Sequence, residues 1–387
     1  MFKNLKLGTK LIMVGLIILL IPLATVGYMA VKEATGGLTS IENEQLAGVT
    51  KALAGGVDNA LNGEIRVVLD LSVGNSTVKA AEAVAKNGFD QAKNEVAALN
   101  HKLKVFSQTK GLSDNSQVVI AAGLDGKIFS ASKDGYAGVS IANRQYFKDA
   151  ITGQVNIGDA DLNKVTNEPF VPIAAPIYTE NGTIVGIISN TLSIGFLSEL
   201  VANTKVGKTG YAYMLDKNGI AIAHPNKDHV MKLNVAELAG MEEISKQQLA
   251  GNFGVEQYVF NGIPKTGGFA PVKTTGWSIG LSLPDEEFLA PAMAVRNIVA
   301  LVAVIFFAIA SVIFFFFARS ITKALNKGVD LAVKVADGDL TAEIDIDQKD
   351  EIGQLADALR NMMDKLREIV ADVHSAADNV AAGSEEM

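Results

Sequence analysis

Two uninterrupted apolar runs constrain this chain more than any other feature. Residues 11–31 lie between Lys10 and Lys32, and residues 297–318 lie between Arg296 and Arg319. Each run is long enough for one helix to cross the hydrocarbon core of a bilayer. Lys3, Lys6 and Lys10 precede the first run, and Arg319, Lys323 and Lys327 follow the second. The opposite flanks carry Glu33 and the acidic cluster Asp285, Glu286 and Glu287, although Lys32 and Arg296 sit at the edges. Excess Lys and Arg marks the cytoplasmic side. Both termini are therefore expected inside, and residues 33–295 outside. The first run is longer than the apolar segment of a secretory signal, and no small-residue cleavage site stands out behind it. It reads as a retained anchor.

The outer stretch, about 260 residues, has room for one large domain or two small ones. The chain has no cysteine. Disulfides, zinc–thiolate sites and iron–sulfur clusters are thereby excluded, which fits an extracytoplasmic bacterial protein. The net charge of −8 argues against nucleic acid as a partner. It also gives no long-range attraction for anionic ligands.

After the first run the helical pattern continues. Leu38, Ile41, Val49, Leu53, Val57, Leu61, Ile65, Val68 and Leu71 recur at multiples of about 3.6. They predict one long helix rising from the membrane, with Gly36 and Gly37 as a soft spot near its foot. A second helical stretch is expected over residues 78–106. Short β-type runs follow at 118–122, 128–131, 170–178 and 183–192, with turn signals at Asp125–Gly126 and Asn181–Gly182. Residues 143–151 read as a short helix capped by Asn143.

A second block repeats this grammar. Runs 211–215 and 220–223 form a hairpin around Asn218 and Gly219, residues 235–249 carry helical signal, and 253–260, 268–272 and 277–283 complete a small sheet. The boundary between the blocks falls near residues 202–208. Past the second apolar run, residues 321–335 form an amphipathic helix, followed by a turn-rich link over 337–347 and a second helix from about Asp350. There Leu355, Leu359, Met362, Leu366, Ile369, Val373, Ala376 and Val380 alternate spacings of 4 and 3. Such a seam asks for a partner helix, in a dimer or a folded-back hairpin.

Four local patterns resemble one family. DEIGQLA at 350–356, with Asp337, Gly338, Asp339 and Leu340 upstream, resembles the HAMP linker, a parallel four-helix bundle in a dimer. Ala324 stands where that module usually has a proline. GKTGYAYMLDKNGIAIAHP at 207–225 resembles the membrane-proximal module of double Cache sensors, and NRQYF at 143–147 with FVPIAAPIY at 170–178 resembles the membrane-distal one. SAADNVAAGSEEM at 375–387 is similar to the start of the signalling helix of methyl-accepting chemotaxis proteins.

The resemblance implies an α+β extracytoplasmic sensor: a long N-terminal helix and two PAS-like α/β modules between two transmembrane helices. A HAMP four-helix-bundle linker and the start of a coiled coil would follow. The domain limits expected are 1–10 cytoplasmic, 11–31 transmembrane and 32–296 double Cache, with a distal module about 110–203 and a proximal one about 204–284. After these come 297–318 transmembrane, 319–371 HAMP and 372–387 the signalling helix. The glutamate-rich tip that engages the kinase and coupling protein is not in the sequence, so a truncated chain is expected. The resemblance also implies a homodimer in the bacterial inner membrane.

Catalysis has little support. His101, His224, His229 and His374 are scattered without metal-ligand spacing, so no metal, cofactor or catalytic residue is expected. Gly207, Lys208 and Thr209 look like the end of a phosphate loop, but the first glycine of that motif would fall on Ala202. His224–Pro225 reads as structural. Ligand binding is better supported. Outside the membrane the only arginines are Arg66 and Arg144, apart from Arg296 at its edge. Arg144 stands beside Tyr146 and Phe147. A guanidinium fork can grip a carboxylate through two parallel hydrogen bonds, and the aromatics can exclude water. The alternative is a structural Arg paired with a nearby acid.

In double Cache receptors for amino acids the matching Arg holds the ligand carboxylate, and an aspartate on a strand holds its ammonium. Thr191 occupies that aspartate position here. A hydroxyl cannot neutralise an ammonium. Either Asp161, in the loop 158–163, supplies the charge, or the ligand has no ammonium, which favours a plain carboxylate or another small polar metabolite. Glu385 and Glu386 have the spacing of a receptor methylation site, or are a solvated charged pair. The expected function is a transmembrane chemoreceptor for a small extracellular metabolite, an organic acid or amino acid. The alternative is the sensor part of a histidine kinase or nucleotide cyclase. His374 is a poor phospho-acceptor, since Val373 and Ser375 flank it.

Overall fold

The computed structural model describes residues 5–202 and 204–385. In chain order the helices are α1 (Leu7–Ser72), α2 (Asn75–Asn87), α3 (Lys93–Gln108), α4 (Gln145–Ala150), α5 (Ile194–Ala202), α6 (Glu242–Leu249), α7 (Asp285–Phe288), α8 (Ala290–Ala336) and α9 (Glu351–Glu385). The strands are β1 (Ser116–Ala122), β2 (Ile128–Ala131), β3 (Asn156–Ile157), β4 (Asp161–Leu162), β5 (Pro169–Tyr178) and β6 (Ile184–Ser193), then β7 (Lys205–Val206), β8 (Gly210–Leu215), β9 (Ala221–Ala223), β10 (Gly254–Phe260), β11 (Ile263–Val272) and β12 (Trp277–Pro284). Two compact units result: Gly37–Ala292, and the segment ending at Gly36 together with that starting at Met293.

In the first unit each module carries an antiparallel sheet. The distal order is β2-β1-β6-β5-β3, with β4 also on β5; the proximal order is β10-β11-β12-β8-β7, with β9 also on β8. The wiring is the same in both: a hairpin (β1–β2, β8–β9) lies beside the last strand of its module (β6, β12), which lies beside the strand before it (β5, β11). Side chains alternate across each sheet. Val119 and Ala121 enter the core beneath the helices, whereas Val118 and Ile120 face a second cluster. In β8, Ala212 and Met214 enter the helix-side core, whereas Tyr213 and Leu215 face the other way. Each sheet therefore has a structural face and a face toward a small cavity.

Helix α1 runs unbroken through Gly36 and Gly37. Glycine costs about 1 kcal/mol relative to alanine in a helix interior. Here Gly36, Gly37, Gly48, Gly55, Gly56 and Gly63 all lie on open surface. Tertiary packing holds the helix: Leu46, Ala54, Val57, Leu61 and Val68 are buried at helical spacing, and burial of each large side chain contributes about 1.5–3 kcal/mol. A Cβ on Gly268 would come 2.5 Å from Thr50 Oγ1. Glycine at that point of β11 lets α1 approach the proximal sheet.

Several expected elements are subdivided. The helix expected over 78–106 is two, because Gly88 follows α2 at φ 77°. The signal over 235–249 splits into a 3-10 turn, Val235–Glu237, and α6, with Gly240 at φ 86° between them. Asn143 does not cap α4; Arg144 occupies the cap position, with no side-chain capping bond. Strand β11 starts five residues earlier than expected, because Asn261 (φ 52°) and Gly262 (φ 77°) form a two-residue turn with β10. That pair of positive φ angles is what a tight hairpin needs.

In the second unit, residues 7–36 and α8 carry the two segments long and apolar enough to cross a membrane. A Cβ on Gly15 would lie 2.0 Å from Phe314, so that glycine seats the ring. After Gly338, at φ 87°, the link runs along α9. Arg367 Nε donates to Leu340 O (2.6 Å) and Arg360 Nη2 to Ile346 O (2.6 Å). These arginines, one heptad apart, fasten the link to α9. Asp350 Oδ1 accepts from Ile352 N (3.0 Å) and Gly353 N (3.2 Å), starting the helix. Any Cβ on Gly353 would meet Gln348 O at 1.8 Å, which explains the glycine of DEIG. Leu331, Ile344, Ala356 and Met363 form the core here. Of the expected seam, Leu359 packs against this core, whereas Leu355, Met362, Ile369, Val373 and Val380 are exposed.

Candidate functional site

The distal cavity forms where the outer face of β1, β2, β5 and β6 meets the loops before α4 and after β4. Val118, Ile120, Ile128, Val139, Ile141 and Phe170 form an apolar floor, and Tyr136, Arg144, Tyr146, Asn163, Lys164 and Thr191 supply the polar groups. Its volume is about 30 Å³, room for one or two waters. The lining contains two cations and no acid.

Arg144 is held at the mouth. Its Nη2 donates to Leu162 O (2.9 Å), and its Nη1 pairs with the carboxylate of Asp161. Asp161 Oδ1 also accepts from Leu162 N (2.7 Å). The Asp161 side chain is 39 % exposed and that of Arg144 18 %, so the acid is the more accessible partner. Tyr146 lines the cavity, and burial pushes its phenol up to about 12 despite the neighbouring Arg144. Phe147 is buried in the same cluster but is not in the cavity wall. Thr191 faces the cavity, and its hydroxyl is engaged: it donates to Val118 O (2.9 Å) and accepts from Val118 N (3.1 Å), bridging a register shift between β1 and β6.

Of the five predicted ligand residues, the fold brings Arg144, Tyr146 and Thr191 into the wall, sets Asp161 on Arg144 and leaves Phe147 behind it. Tyr136, Asn163 and Lys164 were missed. Asn163 Nδ2 donates to Tyr136 OH (3.0 Å), and Lys164 Nζ to Ser140 O (2.8 Å). A signal existed: Tyr136 sits between Gly135 (φ 89°) and Gly138 (φ 79°), an aromatic in a glycine-shaped loop. Glu385 lies in the last turn of α9, and Glu386 lies outside the described residues.

The cavity is tied to α1 through the other face of β6. Asn190, beside Thr191, donates from Nδ2 to Glu64 Oε2 (3.3 Å), and Asn115 Nδ2 donates to Glu64 Oε1 (2.8 Å). Burial raises the Glu64 pKa above its ordinary 4.5, with the Asn115 bond opposing. A carboxyl whose folded pKa is raised loses stabilisation as pH climbs from 4.5 through that raised value. Glu64→Gln removes the titration. The melting temperature of Glu64→Gln minus that of wild type is therefore expected to grow as pH rises above 4.5; a difference flat with pH contradicts this.

Comparison with known proteins now places the fold. A Cache domain model matches residues 38–292 and a HAMP domain model matches residues 316–368. The chain belongs to the Cache-domain family, in the double Cache form, followed by HAMP. It is 28 % identical to the methyl-accepting chemotaxis protein McpA of Bacillus subtilis, across 100 % of this chain and 55 % of McpA. It is 25 % identical to TlpB of the same organism, across 96 % of this chain and 53 % of TlpB. The chain thus spans about half the length of the curated relatives it matches. Among solved structures, the extracellular domain of the putative histidine kinase mmHK1S-Z3 superposes with a TM-score of 0.52 at 17 % identity, covering 66 % of this chain and 98 % of that one. The two apolar helices around the sensor, with HAMP behind them, make the chain a protein of the bacterial inner membrane.

Proposed function

We propose that this chain is the sensing and transmitting part of a bacterial chemoreceptor that takes a small carboxylate-bearing metabolite into its distal cavity. The observation that carries the reading is the cavity's charge: Arg144 and Lys164 in the lining, no acid there, and Asp161 as an accessible counter-ion on Arg144. An incoming carboxylate takes over the guanidinium fork and releases Asp161. Phe147 supports Tyr146 from behind. Thr191 offers a remaining lone pair, and the floor accepts a short apolar tail.

The released Asp161 lies on β4, which pairs with β5 through Phe170 and Pro169. β5 pairs with β6, whose Asn190 touches Glu64 on α1. A ligand shifts such a linkage only through its differential affinity for two states, and helix shifts of about 1–2 Å are typical of such switches. HAMP then passes the change to a signalling domain that engages a chemotaxis kinase and coupling protein. The output is non-enzymatic. The exposed seam of α9, Leu355, Met362, Ile369, Val373 and Val380, meets a second copy in a homodimer, and Glu385 and Glu386 serve as methylation acceptors. The module limits in this reading remain about 110–203 and about 204–284 within 32–296. The relatives that match almost the whole chain are chemotaxis proteins, which favours this output over a kinase.

The test is the melting temperature of the full chain in detergent against amino acids, organic acids, amines and purines. A ligand at 100 times its Kd stabilises by about 2.7 kcal/mol, a shift of several degrees. At least one carboxylate is expected to stabilise wild type and to lose that effect in Arg144→Ala. A panel without any hit, or one in which every hit persists in Arg144→Ala, would overturn the reading.

A further inference from the structure

The proximal sheet has its own cavity on the corresponding face, and an unusual charge beside it. Tyr211, Tyr213, His224, Tyr258 and Phe260 form its polar and aromatic side, while Leu215, Ala221, Val235 and Met241 are among its apolar lining. Its volume is about 10 Å³, close to one water. Lys265, on β11, is 6 % exposed. Its Nζ lies 4.7 Å from the centre of the Tyr211 ring and 5.3 Å from that of Phe260, and it donates to Tyr211 OH at 3.3 Å. No carboxylate forms an ion pair with it among the described residues. Lysine is almost never this buried unless paired, and ring faces attract an ammonium without neutralising it.

Around the same rings, two buried polar atoms lack hydrogen-bond partners. His224 Nδ1 accepts from Asn226 N (2.9 Å), so in the neutral ring the proton sits on Nε2. Burial, His229 and Lys265 hold His224 down at about 4, and it is therefore neutral at physiological pH. His229 packs tilted against His224, with 4.6 Å between ring centres, and its Nδ1 is buried without a hydrogen-bond partner. Gln248 Nε2, beneath Tyr213, is buried and unpartnered as well. One fixed positive charge, several neutral donors and an apolar floor suit an anion of single charge with a short apolar tail. A phosphate dianion would find too few cations.

We propose that the proximal module holds a second, independent ligand site for a short-chain monocarboxylate of acetate to lactate size, with Lys265 as its counter-charge and Tyr211 OH and His224 Nε2–H as its neutral donors. The closed cavity holds about one water, so binding must open it: the carboxylate draws Nζ off the ring faces, and its alkyl end parts Leu215 from Val235. The site does not depend on Arg144.

The chain has four histidines, so imidazole nitrogen NMR of the full chain in detergent, titrated with sodium acetate against sodium chloride at constant ionic strength, reads the site directly. His224 and His229 are expected to shift saturably, in wild type and in Arg144→Ala alike, while His101 and His374 stay still. Lys265→Met is expected to weaken the effect at least about tenfold, since it removes the only charged donor. Unmoved His224 and His229 in wild type overturn the proposal, whether or not Lys265→Met folds. So does a shift that survives unchanged in folded Lys265→Met, or one that vanishes in Arg144→Ala.

Discussion

Arg144→Ala is expected to weaken binding of the distal carboxylate ligand by about a hundredfold or more. Truncating one partner of a hydrogen-bonded charge pair in a desolvated site costs about 2–5 kcal/mol, and each 1.4 kcal/mol is tenfold in affinity. The side chain is mostly buried and already held by Leu162 O, so the fork is pre-aimed and little is lost in ordering it. Arg144→Lys keeps the charge but loses the planar fork, and is expected to recover only part of the affinity. Asp161→Asn separates the two ligand classes. For a plain carboxylate, Asp161 is only a competitor for Arg144, and its neutralisation should tighten binding. For an amino acid, Asp161 would hold the ammonium, and the same change should weaken it. Calorimetric titration of the three variants reads all of this, and an affinity unchanged in Arg144→Ala contradicts the grip.

The second large effect is on stability. Trp277→Ala should destabilise the sensor by about 3–5 kcal/mol, the usual range for removing a buried tryptophan. Trp277 is the only tryptophan, starts β12 and is 2 % exposed in the core shared with Val272 and Met214. In a unit of this size the melting temperature should fall by about 2–4 °C per kcal/mol, hence by around 10 °C. Thermal unfolding followed by circular dichroism checks this, and a fall of a degree or two would mean the site collapses without leaving a cavity.

Much of this architecture is legible in the chain because its signals are periodic. Helix α1 shows in the spacing of Val57, Leu61 and Val68, and the hairpins show in Asp125–Gly126 and Asn181–Gly182. Where single residues decide, the reading was coarser. Gly88 splits a continuous helical pattern because its positive φ is a tertiary choice, and a glycine at that spacing is also tolerated inside a helix, as Gly55 and Gly63 are in α1. Asn261–Gly262 is a strong turn signal between two expected strands, and it carries β11 back to Ile263. Arg144 stood out through the rarity of arginine, but its pairing with Asp161 joins residues from different elements and has no local signature. The engagement of Thr191 with the Val118 backbone follows from a register shift, which alternation alone does not reveal. Lys265 reads in the sequence as an ordinary lysine near a turn; only the fold shows that it is buried among rings.

The central claim is that the ligand of this sensor sits on Arg144 in the distal cavity. Hydrogen-exchange mass spectrometry of the full chain in lipid nanodiscs, with and without the most stabilising carboxylate larger than lactate, tests that directly. Protection is expected to concentrate in residues 141–147, 161–165 and 189–193, with a smaller change around Glu64, and to disappear in Arg144→Ala. Protection confined to residues 211–265, or none in the distal segments at saturating ligand, would contradict the account.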